Sequence, residues 1–71
     1  MSPLEIQRLI MSERQKQNIP YRRFAEMIGC SPSRLVDWKN EKTHMSLDYA
    51  DKALKVLGIS VMIGKEEQRN G

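Results

Sequence analysis

Apolar residues return at three-to-four spacing in four separate stretches of the chain and alternate with other residues in a fifth. Phe24, Ala25 and Ile28 share one face of a short helix. Gly29 ends it, because the position just past a helix end often needs positive φ, which glycine adopts without a Cβ clash. Ser31-Pro32 then starts another helix. Serine is a preferred N-cap, and the N–H that proline lacks would have no partner in the first turn anyway. A stop and a restart this close predict two helices crossing steeply, a helix-turn-helix over residues 21–40.

The second of these helices divides by its geometry. At about 100° per residue, Leu35 and Trp38 lie on one side with Ser31, and Ser33, Val36, Asp37 and Asn40 form a stripe opposite, flanked by Arg34 and Lys39. The apolar side would hold the helix to the body and the stripe would face outward. In a DNA major groove Val36 could touch a thymine methyl, Asp37 could accept from a cytosine amino group, and Arg34 could reach guanine or a phosphate. The alternative is an ordinary solvated face.

The remaining segments follow in order. Ser2-Pro3-Leu4-Glu5 has the form of a capping box, opening a helix that runs to about residue 17 with Ile6, Leu9 and Ile10 on one face. Glu13 falls on that face too, so either Lys39 partners it or the helix turns enough to leave it wet. Asn18 suits a left-handed helix end, and Ile19-Pro20 closes the connection. Arg22 and Arg23, in the first turn of the next helix, oppose its dipole, which suggests a role in phosphate contact. Residues 40–46 read as a polar loop in which Lys42 and Thr43 could touch a DNA backbone and His44 lies at the surface.

Ser46 caps a fourth helix over residues 47–57, ended by Gly58. Apolar residues cover about half its circumference, and Tyr49, Ala53 and Val56 form a second edge that requires cover. Residues 59–63, with Ile59, Val61 and Ile63 alternating, read as a β-strand that has no other strand to pair with. Antiparallel pairing with the same strand of a second chain would satisfy it, making Tyr49, Ala53, Val56, Ile59, Val61 and Ile63 a homodimer interface. A short extended tail packed on the fourth helix is the alternative. The chain thus divides into a folded unit over residues 1–63 and a charged, disordered tail over residues 64–71.

Composition narrows the picture. One cysteine excludes an internal disulfide, and with one histidine it makes a protein-only structural zinc site improbable. Cys30 reads as a small filler of the turn, or as a redox switch. No apolar run approaches a membrane span and the start lacks a signal-peptide pattern, so the expected location is cytoplasmic. The net charge is only +3, but the excess is concentrated. Residues 8–42 hold Arg8, Arg14, Lys16, Arg22, Arg23, Arg34, Lys39 and Lys42 against Glu13, Glu26, Asp37 and Glu41. A basic patch around the helix-turn-helix is the footprint of a phosphate-binding surface.

The run from Phe24 to Asn40, FAEMIGCSPSRLVDWKN, resembles the Cro and lambda-repressor type (XRE) helix-turn-helix family, with Ala25, Gly29, Leu35 and Trp38 matching its pattern in order. The likeness extends over about residues 4–63. It implies an all-α, four-helix DNA-binding domain, here with a short C-terminal β-strand. By position, Tyr21 stands where the family usually has a phosphate-contacting glutamine. Ser31, Pro32, Ser33, Val36 and Asp37 stand at or beside base-facing positions, and Asn40, Lys42 and Thr43 in a phosphate-contacting loop. Two features depart from the family. The arginine late in the first helix is present as Arg14, but Lys39 stands where its glutamate partner is common. Pro32 and Ser33 replace the long polar side chains usual at the start of the recognition helix.

The expected function is sequence-specific binding of double-stranded DNA by a homodimeric, repressor-type transcriptional regulator on a pseudo-palindromic operator, with half-sites about one helical turn apart. The alternative is an antitoxin-type protein whose main role is to bind a toxin-like partner, a subgroup resembled at VLGISVMIG, with DNA binding as autoregulation. Catalysis finds no nucleophile–base pair, metal-ligand cluster or glycine-rich phosphate loop, so no enzyme, cofactor or metal is expected.

Overall fold

In a computed structural model, which describes residues 2–60, four helices form: α1 (Pro3–Lys16), α2 (Tyr21–Ile28), α3 (Pro32–Lys39) and α4 (Leu47–Leu57). Each start is written in its cap. Ser2 accepts from the Glu5 N–H while the Glu5 carboxylate accepts from the Ser2 N–H at 2.7 Å, completing the capping box. Ser31 and Ser46 accept from the N–H groups of Arg34 and Tyr49. Only α2 begins without a side-chain cap, on Pro20.

All four helices stop by the same device, a left-handed residue that lets the next N–H reach back five residues along the chain. Cys30 donates to the Ala25 carbonyl, Ile59 to Leu54, Ile19 to Arg14 and Lys42 to Asp37, at 2.9–3.1 Å. Glycine holds the left-handed position after α2 and α4, and Asn18 holds it after α1. After α3 the residue is Glu41, at φ 61°, where a Cβ is unfavourable.

The core lies where the four helices meet, with α1 packed on α4 and α3, and α2 on α3 and α4. Phe24, Ile10, Ile28 and Leu35 are fully enclosed, joined by Trp38, Ala25 and the inner face of α4. Burying each large apolar side chain contributes roughly 1.5–3 kcal/mol. The α2–α3 turn is therefore fastened from below while its upper face stays open.

Three expectations change here. First, α1 is turned about its axis relative to its apolar pattern. Gln7, Met11 and Arg14 are buried beside Ile6 and Ile10, while Leu9 and Glu13 are half-exposed. The shift is on the order of 80°, a little under one residue step. No Glu13–Lys39 ion pair forms, and Glu13 is partly wet. Second, the α4 edge that required cover is largely covered within the chain. Ala53 is fully enclosed, and the Tyr49 ring packs on Trp38 at 5.4 Å between centroids. Third, Met45 anchors the loop after α3. It occupies the hydrophobic-staple position before the Ser46 cap, with Ala50 buried at the matching place in α4. Of the expected strand, Ile59 packs against the core and Ser60 is exposed, neither in regular structure; residues 61–63 and the expected tail lie outside the described residues.

Candidate nucleic-acid interface

Helix α3 holds one side down and offers the other. Leu35 and Trp38 are buried, whereas Ser33, Arg34 and Asn40 are exposed, Val36 is 40% exposed and Asp37 is half-exposed. An exposed valine on a stripe of polar side chains offers a shaped apolar contact, and the Asp37 carboxylate beside it can accept a hydrogen bond. The Ser31 and Ser33 hydroxyls lie 3.3 Å apart, and the Ser31 oxygen already caps the helix. Ser31 is thus committed to shaping the turn, and Pro32 beside it is exposed but brings no donor. The Arg34 guanidinium lies 5.8 Å from the centre of the Tyr49 ring, a cation–π distance that leans it towards α4 while it stays exposed.

The start of α2 is the second part of the surface. Because Pro20 supplies no cap, the N–H groups of the first turn are open to an external acceptor, and Arg22 and Arg23 are both exposed beside them. Tyr21 is half-buried and held from beneath: the Arg14 guanidinium lies 4.2 Å from its ring centre. Arg14 also donates to the Ile19 carbonyl just before α2. With lysine at position 39, this arginine has no carboxylate partner among the described residues, and its Nε is buried without a hydrogen bond to them. Its charge is taken up instead by an aromatic face and a backbone oxygen.

The third part is the segment after α3. Asn40, Lys42 and Thr43 are exposed, as is His44. Glu41 turns towards α1, where its carboxylate accepts from Arg8 Nε at 2.8 Å and Arg8 Nη2 at 3.1 Å. That bidentate pair holds the Glu41 carboxyl below the usual carboxylate range and raises the Arg8 guanidinium. Two of the basic residues counted in the patch are therefore spoken for, Arg8 by Glu41 and Arg14 by burial. Arg22, Arg23, Arg34, Lys39 and Lys42 remain exposed around α2 and α3.

The hydrogen bonds of Gln7 were not legible in the chain. Its side chain is 2% exposed; Nε2 donates to the Trp38 carbonyl at 2.8 Å and to the Thr43 carbonyl at 3.2 Å, and Oε1 accepts from the Met45 N–H at 2.8 Å. Cys30 is partly buried, and desolvation pushes its thiol up, partly offset by Arg34, so the thiolate that redox chemistry requires is disfavoured.

For a second chain, Tyr49, Val56 and Ile59 keep part of their surface, and Ala53 offers none. Val61 and Ile63 lie outside the described residues. Among the described residues no helix is long and apolar enough to cross a membrane.

A family model described as helix-turn-helix matches residues 10–62, from within α1 to just beyond α4. No curated protein and no solved structure gives a significant match to the chain.

Proposed function

The chain belongs to the XRE-type helix-turn-helix family of DNA-binding regulators, and on that premise we propose that it is a repressor-type transcriptional regulator acting as a homodimer on a pseudo-palindromic operator. The observation that carries this reading is the division of α3, with Leu35 and Trp38 fastened to the core and Ser33, Arg34, Val36 and Asp37 turned outward. In this reading α3 enters the major groove and those four side chains carry sequence preference. Tyr21, Arg22, Arg23, Asn40, Lys42 and Thr43 contact phosphates and set the register, from two ends of the same surface. Pro32 brings no base contact, so sequence is read from the middle of α3 rather than from its first turn.

Two such surfaces are joined about a two-fold axis through α4 and the residues after it, with Tyr49, Val56 and Ile59 as the described residues that still have surface to give to the contact. Half-sites then fall about 34 Å apart, one turn of the duplex. Occupying the operator represses by excluding polymerase.

Selection from a random duplex pool, followed by titration of the enriched sequence at several salt concentrations, tests the reading. An enriched inverted repeat with a steep salt slope is the expected result. Enrichment of a single half-site overturns the homodimer. No enrichment overturns the regulator reading and favours a role in binding a partner protein.

A further inference from the structure

Residues 40–46 have to hold a defined shape if Lys42 and Thr43 are to meet phosphates, yet little in the segment itself enforces one. It has no regular hydrogen-bond ladder, and it contains a non-glycine residue, Glu41, in the left-handed region. Its shape is imposed from α1. Gln7 reaches across 31, 36 and 38 positions of sequence to bond Trp38, Thr43 and Met45. One amide therefore ties the last turn of α3 to both sides of the loop. The pattern also fixes the amide's orientation, since the opposite one would set NH₂ against the Met45 N–H and oxygen against two carbonyls.

We propose that Gln7 is a positioning residue for DNA binding: it sets the phosphate-contacting segment at a fixed distance and angle from the base-reading helix. This rests on the regulator reading above. Gln7 touches no DNA itself, being enclosed, and acts through Lys42 and Thr43. Arg8, the next residue, adds an exposed restraint on the same segment through Glu41. Without Gln7 the helices still pack, because its bonds add no apolar surface, but the loop moves independently of α3. Phosphate contact is then lost from one end of the interface while base contact is retained.

The test is Gln7→Glu, measured against wild type on the operator that wild type selects. An ionised glutamate only accepts, so it opposes the Trp38 and Thr43 carbonyls; a protonated one has a single O–H and donates to one of the two. Burial raises its pKa above the ordinary carboxylate value of about 4.3. The variant is therefore expected to bind about tenfold more weakly than wild type near pH 8, the worth of one or two buried hydrogen bonds, and to recover part of that loss as the pH falls towards 5. The slope of log affinity against log salt should flatten by about one at the higher pH, the signature of a lost phosphate contact. The difference from wild type is read at each pH, because Glu41 and His44 in the same segment are present in both proteins. Circular dichroism checks folding, and Gln7→Met, close in volume and uncharged, carries the test if the glutamate variant does not fold. It should show the weaker binding and flatter slope at every pH.

A folded variant with wild-type affinity at pH 8 overturns the proposal, as does weaker binding with an unchanged salt slope, which would mean a purely structural role. Failure of wild type itself to bind any duplex overturns the regulator reading and this inference together. Failure of the variants alone to differ overturns only the second.

Discussion

In α2 and α3 every buried residue is apolar: Phe24, Ala25, Ile28, Leu35 and Trp38 are inside, and their polar neighbours are outside together with Met27 and Val36. In α1 it does not, for Gln7 and Arg14 are inside and Leu9 is only half covered. The two regions serve different ends. The α2–α3 unit has to present a surface, so its apolar side has a single task, which is to be buried. Helix α1 has to hold other segments in place, and backbone carbonyls and N–H groups are held by hydrogen bonds. A polar side chain can be enclosed there because it is hydrogen-bonded to the backbone groups it meets, and a polar group is costly to bury alone.

That contrast can be broken or sharpened at several positions. The largest effect is expected from Leu35→Ala, which removes an enclosed side chain beneath the reading helix. It should cost about 3 kcal/mol and leave a domain this small largely unfolded near room temperature, as followed by thermal melting. If the melt is unchanged, α3 is not fastened as described.

Two surface substitutions separate reading from holding. Asp37→Ala is expected to change the preferred base at one operator position, a discrimination of about 1–3 kcal/mol, while Arg23→Ala weakens binding to every sequence and flattens the salt slope by about one. Both should melt as wild type does. A selected sequence unaltered by Asp37→Ala would remove that residue from the reading face.

A smaller pair compares helix ends. Gly29 and Glu41 share the left-handed conformation, at φ 76° and 61°. A Cβ on Gly29 would meet nothing within 4 Å, so Gly29→Ala is a purely conformational loss, about 1 kcal/mol or 4–8 °C in melting temperature. Glu41→Gly should move the melting temperature slightly upward instead, because relief of the strained backbone outweighs an exposed ion pair. A clear fall would show that the Arg8 pair is worth more than its exposure suggests.

The smallest effect concerns acid. The capping box holds the Glu5 carboxyl below the usual carboxylate range, chiefly through the Ser2 N–H. A folded-state pKa below the unfolded one contributes stability that is present above the unfolded value and fades as pH falls through the folded one. Glu5→Gln should therefore melt below wild type at neutral pH, with the gap closing as the carboxyl is protonated. A gap that is constant with pH would assign the loss to packing rather than charge.

The helix starts at Ser2, Ser31 and Ser46, the stops at Asn18, Gly29 and Gly58, and the division of α3 were all legible because each depends on neighbours within one or two turns. Met45 carries a readable signal, a lone apolar residue just before a serine cap, inside a segment that otherwise reads as a polar loop. Gln7 had none. Nothing in a glutamine distinguishes a solvated one from an enclosed one, and its partners lie more than thirty residues away. The same holds for Arg8 finding Glu41, and for Arg14 stacking on Tyr21 where Lys39 cannot partner it.

Residue order alone therefore specified which segments become helices, where all but α3 end, and which face of the reading helix turns inward, since caps, left-handed ends and apolar periodicity are local and repeat with the helix itself. Only the packed structure decided how far α1 is rotated, which polar side chains it encloses and how the loop after α3 is held. Those depend on the one arrangement in which distant backbone groups come within hydrogen-bond reach of a side chain, and a linear pattern carries no distance across the fold.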